Sequence, residues 1–127
     1  MDEHIHRYLE EPRCAVIATI GRDGAPHQAV VHYFVEPDGL LINGRADRRW
    51  VVNLRRDPRA SVIVHDAQEP LHWVGIEGRA ELVQEGRDAV EAAMALARRY
   101  GEDPSGYEGQ ERLGFRVPAQ RVFENRD

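Results

Sequence analysis

Three β-rich runs, CAVIATI, HQAVVHYFV and LLIN, follow one another with only short turns between them before any substantial helix intervenes. That order dictates antiparallel pairing, because a parallel crossover needs a dozen or more connecting residues. The first turn, GRDGAP, contains Asp23-Gly24, a pair suited to the positive φ of a hairpin, and the second is Glu36-Pro37-Asp38-Gly39. A fourth run, ASVIVH, spans residues 60–65. In the fifth, LHWVGIEGRAELV, residues Val74, Ile76, Gly78, Ala80 and Leu82 alternate with Trp73, Glu77, Arg79 and Glu81, the period of a strand with one buried face. Gly75 and Gly78 mark a bulge or a close approach by another backbone. The last run, around FRVPAQRVFE, contains Pro118, which implies an edge position or a kink.

Helical spacing occurs in three places. Residues 2–10 bring Ile5 and Leu9 to one face and stop at Pro12, a short helix suited to capping a barrel end. Residues 48–56 follow Asp47 as an N-cap, place Trp50, Val51 and Leu54 on one side and end at Asp57-Pro58. Residues 87–100 carry a stripe of Val90, Ala93, Met94, Ala97 and Tyr100, with Gly101 as the stop. The expectation is a mainly β protein with flanking helices: a six-stranded antiparallel barrel in a single domain over residues 1–127. A doubly wound parallel sheet would need a helix after nearly every strand.

All 17 basic residues are arginine, which excludes a Schiff-base lysine and leaves guanidinium groups and backbone amides to grip any anion. Six arginines and two aspartates between Arg45 and Arg59 give that segment +4, leaving −9 for the rest of a chain whose net charge is −5. An isolated basic segment on an acidic protein suits one anionic ligand better than a nucleic-acid duplex, and with only Trp50 in it, single-strand binding by stacked aromatics is not expected either. The acidic, polar start MDEHIHRYLEEP and the absence of a membrane-length apolar run imply a cytoplasmic protein. The single cysteine, Cys14, is expected to be a buried, inert thiol. No HExxH or Cys/His framework, GxSxG elbow, Walker loop or GxGxxG is present, so neither a metal site, a serine hydrolase nor a nucleotide fold has support.

The segment LLINGRADRRWVVNLRRDPRASVIV is the most informative: a strand, a glycine turn, an arginine-rich helix start and a return strand. Arg48 and Arg49 at the first helical turn combine fixed charge with free amides, the requirements of a phosphate site, and Arg45 lies within reach of the same anion. The competing expectation is that these arginines only coat a solvated helix.

Together with CAVIATIGRDGAPHQAVVHYFV, HWVGIEGRAELV and RVPAQRVF, that segment resembles, in order and over roughly residues 12–124, the pyridoxamine 5′-phosphate oxidase-like superfamily, especially its small branch of deazaflavin (coenzyme F-420) enzymes. The resemblance implies an FMN-binding-like split barrel that works as a homodimer with a phosphorylated cofactor, coenzyme F-420 or alternatively FMN, between subunits. Carried onto this chain, Asn43, Arg45, Arg48, Arg49 and Asn53 are the phosphate-side candidates. Val30, Val31 and His32 would lie along the ring system, and Trp73 would supply an aromatic wall from either subunit or simply pack the dimer. Trp50 stands at or near a position where the branch often has lysine, and Val30 where it often has proline, so Trp50 would border or narrow the groove. The implied activity is hydride transfer to a small organic substrate, with His32 nominated for proton delivery or substrate contact. The rival is a barrel that carries haem, flavin or a tetrapyrrole without turnover; for haem, His32, His65 or His72 would be the axial ligand.

Overall fold

In a computed structural model that describes residues 1–126, the six predicted runs form nine strands, because three of them bend. The first run is β1 (Cys14–Ile20). The second breaks at His32 into β2 (Pro26–Val31) and β3 (Tyr33–Glu36). The third and fourth are β4 (Gly39–Arg45) and β5 (Arg59–His65). The fifth breaks at Ala80 into β6 (Trp73–Arg79) and β7 (Glu81–Gln84), and the sixth breaks after Pro118 into β8 (Arg112–Pro118) and β9 (Arg121–Asn125). The helices are α1 (Glu3–Glu10), α2 (Arg49–Arg56) and α3 (Gly86–Arg99).

Two antiparallel sheets result, in the orders β2-β1-β5-β6-β9 and β3-β4-β8-β7. At every break the chain passes from one sheet to the other, so the six-stranded reading and the nine observed strands describe the same split barrel, whose corners are made by strands that switch sheets. The bends keep their backbone groups bonded: the amide of Ala80 donates to Pro58 O at 2.7 Å, that of Ala119 to Asp38 O at 2.7 Å and that of Gln120 to Glu77 O at 3.1 Å. Gly39 and Gly78 sit where a Cβ would collide with the carbonyls of Val117 and Pro118, so close backbone approach explains both glycines, and Pro118 ends β8 at the corner. Gly75 has ordinary room for a side chain.

The core between the sheets is apolar, with Ile17, Leu40, Ile42, Val62, Val64, Val74, Ile76 and Val117 fully buried. Tyr33 is buried with them, and its hydroxyl donates to the carbonyls of Leu9 and Glu11, both at 3.0 Å. Burial raises its pKa, so the donor stays protonated. Helix α1 caps the barrel end, as its spacing predicts, by inserting Ile5 and Leu9.

Three expectations are corrected. Cys14 is exposed, because burial along β1 alternates and its first residue falls on the outward phase. Asp47 does not cap α2: Arg48 is the N-cap residue, without a side-chain capping bond, and the Asp47 carboxylate lies 3.4 Å from Arg45 instead. In α3 the buried stripe is Ala89, Val90, Ala93, Leu96 and Ala97, while Met94 and Tyr100 of the expected stripe are only half-buried.

Candidate functional site

Between β2, β4 and α3 runs a cleft of about 490 Å³. Its α3 wall is Ala93, Leu96 and Ala97, small and apolar, at helical spacing; Ala29, Val30 and Val31 line it from β2. Where the second run leaves one sheet for the other, the break residue His32 borders the same space.

The polar part of the cleft is cationic. Antiparallel pairing of β4 with β8 sets Arg45 opposite Arg112, and Arg48 lines the same cleft from the start of α2. Like charges facing each other across a ladder oppose folding unless a counter-charge is supplied. Arg112 is held by neutral groups, donating to Asn43 Oδ1 at 2.8 Å and to Gln110 Oε1 at 2.9 Å, with its guanidinium 4.9 Å from the Tyr107 ring centroid. Burial lowers its pKa, and Arg45 and Arg48 lower it further by repulsion. Among the described residues, neither Arg48 nor Arg112 is paired with a carboxylate; Asp47 reaches only Arg45. The cleft therefore presents three guanidinium groups against the single carboxylate of Asp47, beside an apolar wall, an arrangement suited to the phosphate end of an elongated ligand.

Trp50 is 6% exposed and turns inward, seated on Gly44, where a Cβ would collide with the indole. Its ring centroid lies 6.4 Å from that of Phe115. It thus borders the cleft from below. Asn43 also lines the cleft, but as an organiser: its Nδ2 donates to Ala89 O at 2.9 Å while its Oδ1 receives Arg112.

Seven of the ten sequence-predicted residues, Val30, Val31, His32, Asn43, Arg45, Arg48 and Trp50, meet in this cleft. Three do not. Arg49 is exposed on α2 outside the lining. Asn53 is buried under α2, its Nδ2 donating to Thr19 Oγ1 at 3.1 Å and its Oδ1 accepting from Arg56 at 3.2 Å, a structural tie. Trp73 pairs in register with His65 and Asn125 on the five-stranded sheet, three strands from β2 and so roughly 14 Å across that sheet. Sequence reasoning missed Arg112, Tyr107 and Gln110. The signal for Arg112 was pairing: laying RLGFRV antiparallel on LLINGR puts the two arginines face to face.

His65 and His72 lie away from the cleft; His72 Nε2 is 3.7 Å from Glu124 Oε2, and His4 Nε2 is 2.9 Å from Glu124 Oε1. Among the described residues no group of three or more His, Cys, Asp or Glu side chains is arranged to hold a metal ion, and no helix is long and apolar enough to cross a membrane.

A split antiparallel barrel with an arginine-lined cleft where its sheets part is the class that fold and site define. The chain belongs to the pyridoxamine 5′-phosphate oxidase family, whose model matches residues 1–126. A pyridoxine/pyridoxamine 5′-phosphate oxidase of Cupriavidus metallidurans is 31% identical over 102 residues, covering 79% of this chain and 48% of that protein. The chain spans about half the length of the curated relatives it matches, 48% and 57% of them. Among solved structures, an F420 reductase superposes with a TM-score of 0.82 at 20% identity, covering 97% of this chain and 98% of the other. HutZ, a haem storage protein of Vibrio cholerae, superposes with a TM-score of 0.76 at 20% identity, covering 98% and 94%.

Proposed function

We propose that the cleft binds a phosphorylated redox cofactor, coenzyme F-420 or alternatively FMN, and that the protein is an oxidoreductase transferring hydride to a small organic substrate. The observation that carries this reading is the guanidinium cluster of Arg45, Arg48 and Arg112, which lacks the negative charge its crowding calls for. A flavin or deazaflavin supplies the hydride chemistry when bound; the protein supplies position, an apolar wall that excludes water, and charge. Arg112, fixed by Asn43 and Gln110, is the pre-set anchor, while Arg45 and Arg48 close on the same anion. Family membership and the fold shared with an F420 reductase support the reading.

The protein acts as a homodimer. One row of outward residues crosses the larger sheet in register, Val30–Val16–Ile63–Gly75–Phe123, with Val30 73% exposed. Because Val30 belongs both to this apolar row and to the cleft lining, a second copy seated on the row would also border the cleft. Trp73 lies on the same sheet, so its route to a cleft is through that second copy.

The test is fluorescence titration of the purified apo-protein with coenzyme F-420 and with FMN, repeated on Arg112→Ala, Arg48→Ala and Arg49→Ala. Each lost charge-assisted contact is worth about 1.5–3 kcal/mol, so the first two variants should weaken binding roughly tenfold or more, while Arg49→Ala leaves it unchanged. Equal affinities in all four proteins would dismiss the phosphate site. A haem carrier is the second reading, favoured by His32 in the cleft and by the shared fold with HutZ; a Soret band retained through purification and lost in His32→Ala would select it.

A further inference from the structure

The one imidazole in the cleft is held on two sides. Tyr100, which ends α3, stacks on His32 with ring centroids 3.7 Å apart and planes 3° from parallel. Tyr100 is itself fixed, its hydroxyl donating to Arg13 O at 2.7 Å. The Glu102 carboxylate stands 3.6 Å from His32 Nδ1, within ion-pair range of a protonated ring though beyond hydrogen-bond distance. Nε2 has no hydrogen-bond partner among the described residues, although the ring lines the cleft.

Helix α3 measures the separation between this imidazole and the guanidinium cluster. The carbonyl of Ala89 accepts from Asn43, the residue that holds Arg112, and Tyr100 stacks on His32. From Ala89 to Tyr100 the helix rises roughly 16 Å, so His32 lies at the other end of the cleft from the anion site. A ligand anchored there by its phosphate would present its far end to His32.

We propose that His32 is the proton-handling group of the cleft and that Glu102 and Tyr100 are its positioning residues. Glu102 keeps the proton on Nδ1, Tyr100 fixes the ring plane, and Nε2 is left to exchange a proton with substrate. This rests on the cleft being a hydride-transfer site. Hydride addition from a reduced flavin or deazaflavin to a C=O or C=N bond forms a C–H bond and turns the π pair into a basic lone pair on oxygen or nitrogen. The doubly protonated ring gives that atom the Nε2 proton, and the neutral imidazole left behind, still Nδ1–H toward Glu102, regains its second proton at Nε2 from solvent when product leaves the cleft. The charged and titratable groups around the ring are Glu102, Tyr100 and Arg99 at the end of α3, Arg13 and Cys14 behind Tyr100, Tyr33 on β3, and Arg45, Arg48 and Arg112 at the far end.

The experiment is a two-bond ¹H–¹⁵N correlation spectrum of histidine side chains in the full ¹⁵N-labelled chain without cofactor, with the His32 signals assigned by His32→Gln. At a pH where the ring is neutral, the proton should reside on Nδ1 in the wild-type protein and move to Nε2, the form an unconstrained histidine side chain favours, in Glu102→Ala. Tyr100→Leu should broaden or split the His32 signals as the ring plane is freed. Wild-type protein with the proton on Nε2, or a tautomer indifferent to Glu102→Ala, overturns the proposal. Cofactor titrations are independent of this readout, so failure of the cofactor reading and failure of the His32 assignment are told apart.

Discussion

Arg112 and Gly78 show how single residues carry this structure. Arg112 faces Arg45 across the ladder with neutral groups for partners, a placement that opposes stability unless an anion arrives. Added phosphate-bearing ligand should therefore raise the melting temperature of the wild-type protein, and Arg112→Ala should reduce that ligand-dependent rise while the ligand-free fold holds. Thermal scans with and without FMN or coenzyme F-420 check both statements. Gly78 lets the corner at Pro118 close, since a Cβ there would strike the Pro118 carbonyl. Gly78→Ala should cost about 1–3 kcal/mol by overpacking, measured by urea unfolding, whereas Gly75→Ala, which meets only ordinary contacts, should be milder.

Among the elements, α1 adds polar ties at both ends to the apolar anchors Ile5 and Leu9. Arg99 reaches from the last turn of α3 to Leu9 O at 3.1 Å and Glu10 O at 2.8 Å, satisfying carbonyls that the end of α1 leaves without helical partners, and to Tyr33 O on β3 at 2.9 Å. Arg99→Met keeps the stem and removes the donors; a loss of about 2–4 kcal/mol is expected, with faster amide exchange in residues 3–10. The other end of α1 is tied by His4 to Glu124, whose pKa is lowered to about 2 by hydrogen bonds from Arg126 and then His4. A carboxylate depressed from its ordinary 4.5 contributes stability above that value and loses it as pH falls toward about 2. Protection of α1 should fall over that window, and less steeply in Glu124→Gln. The elements were largely legible: every predicted run and helix exists. The bends were not, and the second run shows why. Val31 and Tyr33 both point into the core on either side of His32, so alternation runs unbroken through the corner and gives no sign of it. The candidate cleft was legible where its charge is local, with Arg45 and Arg48 among its lining, and hidden where register decides the lining, at Arg112. Asn53 misled because its carboxamide serves Thr19, distant in sequence, an association no local pattern records.

For the whole molecule, the apolar row across the larger sheet predicts an assembly state. Ile63→Glu places a charge in the middle of the row, at an exposed position whose folding should tolerate it. Light scattering should then read a monomer where the wild-type protein reads a dimer, and cofactor affinity should fall with it if the cleft is completed by a second copy. A wild-type monomer would dismiss the dimer and leave the guanidinium site standing. The bent runs carry a consequence of another kind. Each contributes a strand to both sheets, and they tie the sheets together at three corners, so neither sheet can come apart while the other keeps its edges. Denaturation should accordingly be all-or-none, with calorimetric and van't Hoff enthalpies in agreement, and amides in β1 and β4 should exchange with the same free energy of opening.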